Sequence, residues 1–320
     1  MLGTYLHNSM SPKPAINTLS RKRRRVYFQL LLVAFLIVAP VLFLSATGYR
    51  FETLTGLTKT GGIYVGAEQL GAEIYINGEL VHETGTFRRA FYVQDLKPGI
   101  YTISVSKEGF YPWDKTLEVY ESIVTEGQAF NMPEEPVLTL IPATFTYQTA
   151  NATTTALLPN PLYQEIAEHF TEKTATSTKK TMAARGIGTP TTVPALVSLP
   201  TATTTKAFLG MQLSDGGGRI IARWMRDTDS VPFYFCIRAG ECVDEIVLNT
   251  RDEKPISFDF FPGTTDLALV TLKDGVYVTE LDNRSGQNIQ PLFLAAGVDF
   301  RIIDGDIYVK TPSEIYKVEI

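Results

Sequence analysis

The chain is poor in the residues that build most catalytic and metal centres. Two cysteines, Cys236 and Cys242, and three histidines, His7, His82 and His169, are all that 320 residues provide. Two cysteines are too few for a disulfide framework or a cysteine-rich zinc site. The histidines fall in three separate regions, so no Ser-His-Asp or Cys-His set can be proposed. No glycine-rich phosphate loop occurs. Asp227-Thr228-Asp229 and Asp304-Gly305-Asp306 resemble fragments of calcium loops, but neither completes an EF-hand or nonapeptide pattern. They read as turn acids. Catalytic, cofactor-binding and metal-ligating residues are therefore expected to be none.

Acids are missing from one end. Residues 1–50 hold seven of the 29 Lys and Arg and no Asp or Glu. The remainder has 22 cations against 34 acids, a net −12. An acidic surface of this kind argues against nucleic acid as a partner, because phosphates need basic surface.

One long stretch carries no ionisable acid or base except Tyr27. Arg21-Lys22-Arg23-Arg24-Arg25 immediately precedes it, and the stretch itself, Val26 to Ala46, is apolar almost throughout. Twenty-one residues at about 1.5 Å each span roughly 30 Å, the thickness of a bilayer's hydrocarbon core. Residues 21–46 are thus expected to form a basic stop and a transmembrane helix, kinked at Pro40 and bracketed by Tyr27 and Tyr49. The cations place residues 1–20 in the cytoplasm as a short disordered tail and everything after about Thr47 outside. No cysteine near the end of the run offers a lipid attachment point. Leu44 and Ala46 are a poor match to a small-x-small cleavage site, which favours an uncleaved anchor over a signal peptide.

From Gly61 the pattern changes to period two. Strands are expected at 63–65, 72–76, 79–82, 91–93, 101–106, 116–120 and 128–132, with Asn77-Gly78 as a type I′ hairpin turn. That many short strands in 72 residues (61–132) describe a small antiparallel β-sandwich. Gly61-Gly62-Ile63-Tyr64-Val65, Gly71-Ala72-Glu73-Ile74-Tyr75-Ile76-Asn77-Gly78, Leu96-Lys97-Pro98-Gly99-Ile100-Tyr101 and Lys107-Glu108-Gly109-Phe110-Tyr111-Pro112-Trp113 resemble a PEGA domain. The family's eponymous Pro and Glu are absent, since Gln69-Leu70 precedes Gly71-Ala72. The resemblance implies a module of bacterial or archaeal surface proteins, without catalytic residues.

Pro133-Glu134-Glu135-Pro136 marks a boundary, followed by a brief apolar piece, 137–141. Between residues 144 and 205 there are 18 threonines in 62 positions, with many Ala and Pro. Such a segment, 144–206, reads either as a linker or stalk or as a poorly packed part of the next domain. Within it Asn160-Pro161 is a helix start, with Leu162, Ile166 and Phe170 at four-residue spacing. Residues 207–320 return to β patterning, with strands expected at 219–224, 233–237, 243–248, 256–260, 267–271, 275–281, 307–310 and 315–318. The order of Ser257-Phe258-Asp259-Phe260-Phe261-Pro262-Gly263, an apolar strand, then Asp274-Gly275-Val276-Tyr277-Val278 is similar to blades of TolB- or WD40-like propellers. At about 40–45 residues per blade this region supplies two to three, so a partial propeller or a second sandwich is expected.

If Arg238-Ala239-Gly240 forms a hairpin loop, Ile237 pairs with Glu241 and Cys236 faces Cys242 at bridging distance. An oxidising outer face would then close a disulfide. Trp113, beside Tyr111 and Pro112, either plugs one end of the sandwich or, with Tyr111, presents an aromatic platform to a sugar. The chain as a whole reads as a mainly β, single-pass membrane protein without enzymatic activity. Its β modules are expected to bind peptidoglycan, polysaccharide or other surface proteins. The alternative is an extracytoplasmic hydrolase drawing on Asp259, Asp266 and Asp299.

Overall fold

The computed structural model describes residues 20–52, 56–147, 156–171, 205–226, 230–238 and 241–320. It forms two compact units, Met1–Thr60 and Gly61–Ile320. The tail at 1–19 and most of the Thr-rich stretch lie outside the described residues.

In the first unit, helix α1 (Arg21–Ala46) takes in the whole apolar run, continues through Pro40 and buries no residue. It is long and apolar enough to cross a membrane. Its end is well specified. Thr47 donates its hydroxyl to Phe43 O and Leu44 O, and Gly48 follows with φ +81°, a left-handed closure that glycine adopts without strain. Strands β1 (Tyr49–Glu52) and β2 (Gly56–Lys59) form a hairpin pairing Tyr49 with Lys59. The hairpin brings Thr60 back to Gly48, where its amide donates to the carbonyl at 3.0 Å.

The second unit opens with seven strands: β3 (Gly61–Ala67), β4 (Glu73–Ile76), β5 (Glu79–Glu83), β6 (Ala90–Leu96), β7 (Gly99–Ser106), β8 (Trp113–Val119) and β9 (Val124–Ala129). They form two sheets, β5-β4-β7-β8 and β6-β3-β9. Asn77 and Gly78 both take positive φ between Ile76 and Glu79, as a type I′ turn demands. One pairing departs from the expected antiparallel plan. β9 runs parallel to β3, and it spans Val124–Ala129 rather than 128–132. Inward-facing Ile63, Val65, Ile74, Ile103, Val105, Leu117 and Val119 fill the space between the sheets.

The rest comprises β10 (Val137–Ile141), β11 (Thr144–Tyr147), β12 (Ala156–Pro159), α2 (Pro161–Thr171), β13 (Thr205–Phe208), β14 (Met211–Asp215) and β15 (Ile220–Trp224). A 3-10 turn at Phe233–Phe235 follows, where a strand was expected. Then come β16 (Cys236–Arg238), β17 (Glu241–Cys242), β18 (Glu245–Val247), β19 (Ser257–Phe260), β20 (Leu267–Leu272), β21 (Gly275–Glu280) and β22 (Ile289–Leu294). The chain finishes with β23 (Asp299–Ile303), β24 (Asp306–Lys310) and β25 (Ile315–Glu319). Beyond the sandwich, the described residues include three four-stranded antiparallel sheets, β13-β14-β15-β18, β19-β20-β21-β22 and β10-β25-β24-β23. The last joins the apolar piece at 137–141 to the end of the chain, so the C-terminal domain does not begin at 207.

The described part of the Thr-rich stretch belongs to this body. α2 starts where expected, with Asn160 Oδ1 accepting from the Leu162 amide. Ile166 on α2 is buried with Ile141, Tyr308 and Ile315. β20 and β21 are buried along their whole length. Leu267, Leu269, Val276 and Val278 join the same apolar cluster as the sandwich core, while Ala268, Val270 and Tyr277 join a second cluster with β14, β15 and β18. The two expected domains therefore share one core. Each fully buried aliphatic side chain in it contributes about 1.5–3 kcal/mol, so the sandwich is not an independently tethered bead.

Candidate functional site

Strand β8 alternates strictly, and the residues it turns inward are Trp113, Lys115, Leu117 and Val119. Two of these carry polar atoms, and both find partners at the end of β21. The Trp113 indole Nε1 donates to Glu280 Oε2 at 2.9 Å. Lys115 Nζ donates to Glu280 Oε1 at 2.7 Å and to the carbonyls of Asp282 and Gly286. The ammonium's three protons thus have three acceptors. Glu280 also accepts from the backbone and side-chain amides of Asn288. Burial pushes its carboxyl upward in pKa against the pull of Lys115.

Further contacts stitch the same seam. Gln290 donates to the carbonyls of Pro112 and Phe130 and accepts from the Met132 amide. Arg284 donates to both carboxylate oxygens of Asp282 and to Glu126 O, with its guanidinium over the Phe233 ring. Ser285 Oγ accepts from the Thr116 amide at 3.0 Å.

Trp113 is 0 % exposed and Tyr111 is half-buried against the core, so they do not form the aromatic platform considered above. The large ring fills the seam, and its one donor is used there.

Beside the seam the loop after β21 and the outer edge of β8 leave an open groove of about 370 Å³. Leu117 and Ile100 give its lining apolar surface, and Thr116, Thr125, Asn283 and Ser285 give it hydroxyls and an amide. Glu118 and Arg284 are its only charged lining residues among those described. Both are engaged, Glu118 accepting from the Tyr120 hydroxyl and Arg284 held by Asp282. Such a lining offers hydroxyls, amides and apolar contact to an uncharged polar ligand.

The acids named for hydrolysis are not assembled into one site. Asp259 is paired with Lys206 at 2.6 Å, and Asp299 with Arg301 at 2.9 Å. Asp266 lines a cleft with Tyr234, Glu280 and Asp282, and neither Asp259 nor Asp299 is in its wall. That cleft holds about 10 Å³, room for one water. Burial first, with neighbouring Glu68, Glu280 and Asp282 adding to it, raises Asp266 to about 6. Burial likewise pushes the Tyr234 hydroxyl up.

Cys236 and Cys242 are joined, with Cα atoms 3.9 Å apart. The register differs from expectation. Arg238, not Ile237, opposes Glu241, and a bulge between Cys236 and Arg238 absorbs the offset while Cys236 still faces Cys242.

Residues 60–129 match the PEGA domain family. The match covers β3 to β9, so the module that contributes β8, Trp113 and Lys115 to the seam is the PEGA module. No curated protein matches the chain. Among solved structures, the AfRom2 CNH domain is similar over 74 % of this chain and 69 % of that chain, at 8 % identity and a TM-score of 0.22. An overlap that loose establishes no shared fold.

Sequence reasoning named neither Lys115 nor Glu280. A signal was present, because a lysine at an inward position of the alternating strand Trp113–Val119 must meet a buried acid or leave a charge stranded.

Proposed function

We propose that this chain is a single-pass membrane protein whose β unit lies outside the cytoplasm and binds a cell-envelope component, without enzymatic activity. The observation that carries the reading is a PEGA module packed through a common core onto further β-sheets, in a chain that also contains a 26-residue helix opening with five basic residues and apolar thereafter. The Cys236–Cys242 bond supports an oxidising location. The bacterial or archaeal setting follows from the surface proteins in which such modules are expected.

The groove beside the PEGA module supports an uncharged polymer or a surface protein as ligand over a polyanion. The propeller-like reading of the C-terminal portion rests on its three four-stranded meanders, one of them closed by β10. The separate pairing of Asp259 and Asp299 supports the non-enzymatic reading. Sedimentation of the detergent-solubilised chain with purified cell wall tests the binding. Retention that drops on Thr116→Trp, which would fill the groove, is the expected result. No retention on wall and no co-purifying surface protein would reject it. Protease protection in sealed vesicles tests the orientation separately.

A further inference from the structure

Strand β10 is the outer strand of its sheet, with β25 as its partner among the described residues. Its side chains are unusually apolar for such a place. Val137, Leu138 and Leu140 are 61 %, 41 % and 47 % exposed, and between them they lie on both faces of the strand. Protein edges are normally blunted by a charge, a proline within the strand or a bulge. β10 contains none of these, and its register with β25 runs unbroken from Val137 opposite Glu319 to Ile141 opposite Ile315.

The segment is also a palindrome in residue type. From Pro136 to Pro142 it reads Pro-Val-Leu-Thr-Leu-Ile-Pro. A two-fold axis between copies of a strand places residue i opposite j and j opposite i. An axis through Thr139 sets Thr139 against Thr139, Leu138 against Leu140 and Val137 against Ile141. It also sets Pro136 against Pro142, so the residues that cannot donate to a ladder fall opposite each other at its two ends. Glu135 and Glu134 then face Ala143 and Thr144 rather than each other. Threonine–threonine and aliphatic cross-strand pairs are favourable in antiparallel sheets.

We propose that β10 pairs antiparallel with β10 of a second copy of this chain about an axis at Thr139, joining two four-stranded sheets into one of eight strands. The self-complementarity of 136–142 selects this occupant over an unrelated strand.

Cross-linking in native membranes tests it. Thr139→Cys in the full chain, with Cys236–Cys242 left intact, should give a band of two chain masses under mild oxidant. Phe87→Cys, at a tip that is almost fully exposed, should not. Adding Leu140→Lys to Thr139→Cys should abolish the band without lowering the melting temperature, because Leu140 is already exposed as a single chain. A thiol at 139 that reacts fully with maleimide yet never cross-links would overturn the proposal. So would one shielded from maleimide in a chain that sediments as a monomer, since another part of the same chain would then cover the edge. Equal cross-linking at 87 and 139 would also overturn it.

Discussion

Lys115 Nζ and Glu280 Oε1 are 2.7 Å apart, 165 residues distant in the chain, and both side chains are almost wholly withdrawn from water. The pair joins the PEGA module to β21. A buried ion pair seldom stabilises more than a well-packed apolar substitute would, since each ion must give up its hydration. Its value here is positional. An ammonium with three fixed acceptors and a carboxylate with Trp113 and Asn288 as further donors permit one docking of β8 on β21.

Removing one partner should therefore be severe. Lys115→Met leaves Glu280 buried without its cation and should cost about 3–5 kcal/mol. Lys115→Met with Glu280→Gln should recover a large part of that loss, because no charge is then stranded. Urea melts of the solubilised chain check both. A double variant no more stable than Lys115→Met would show that the loss comes from the unpaired carbonyls of Asp282 and Gly286 rather than from a stranded Glu280 charge.

The sandwich was legible because its strands alternate and Asn77-Gly78 states its own turn type. The helix α1 was legible from its length and lack of charge. What the sequence concealed was long-range. That β10 joins β25 depends on pairs such as Thr139 with Lys317, 178 positions apart, for which local patterning holds no signal. Strands β20 and β21 are buried on both faces, so their continuous apolar runs did not reveal that one face serves the PEGA core. The 3-10 turn at Phe233–Phe235 looked like a strand because three aromatics satisfy β-propensity wherever they are buried. Of the candidate site, Trp113 was singled out, and of its two readings the buried one agrees with the structure while the sugar platform does not. Its ring belongs to the seam.

That placement is measurable by light. The chain has two tryptophans, Trp113 and Trp224. In a Trp224→Phe background the emission of Trp113 should be blue-shifted and resistant to acrylamide, and oligosaccharides should not perturb it. Trp113→Phe removes the donor to Glu280 and should cost about 1–3 kcal/mol, while Trp113→Ala should cost about 3–5 kcal/mol through the cavity it leaves. A quencher-accessible Trp113 would contradict the buried seam.

Reducing Cys236–Cys242 should have a modest effect. The bond closes a loop of sequence separation 6, so loop-closure entropy contributes at the low end of the usual range, about 2 kcal/mol. Thermal melts with and without reductant should differ by a few degrees, and Cys236→Ser with Cys242→Ser should reproduce the reduced form. A loss of all cooperative unfolding would mean that the β16–β17 hairpin organises much more than itself.

Asp266 predicts a pH dependence with a definite sign. Its carboxyl titrates near 6 in the folded chain and near 3.8 when exposed, so between those values the folded state holds a proton that the unfolded state has lost. Stability from this group is present below pH 3.8 and is lost as pH rises through about 6. The raised carboxyl of Glu280 acts in the same direction. Asp266→Asn removes the ionisation while keeping the shape, and should stabilise the chain by about 2 kcal/mol at pH 7.5 after allowance for residual hydration of the site. At pH 3.5 the two forms should melt alike. Denaturant midpoints at the two pH values decide the matter: if Asp266→Asn is the weaker protein at pH 7.5, the ionised carboxylate makes a contact that the folded state requires, and the cleft beside Tyr234 holds a bound cation or donor instead of a strained charge.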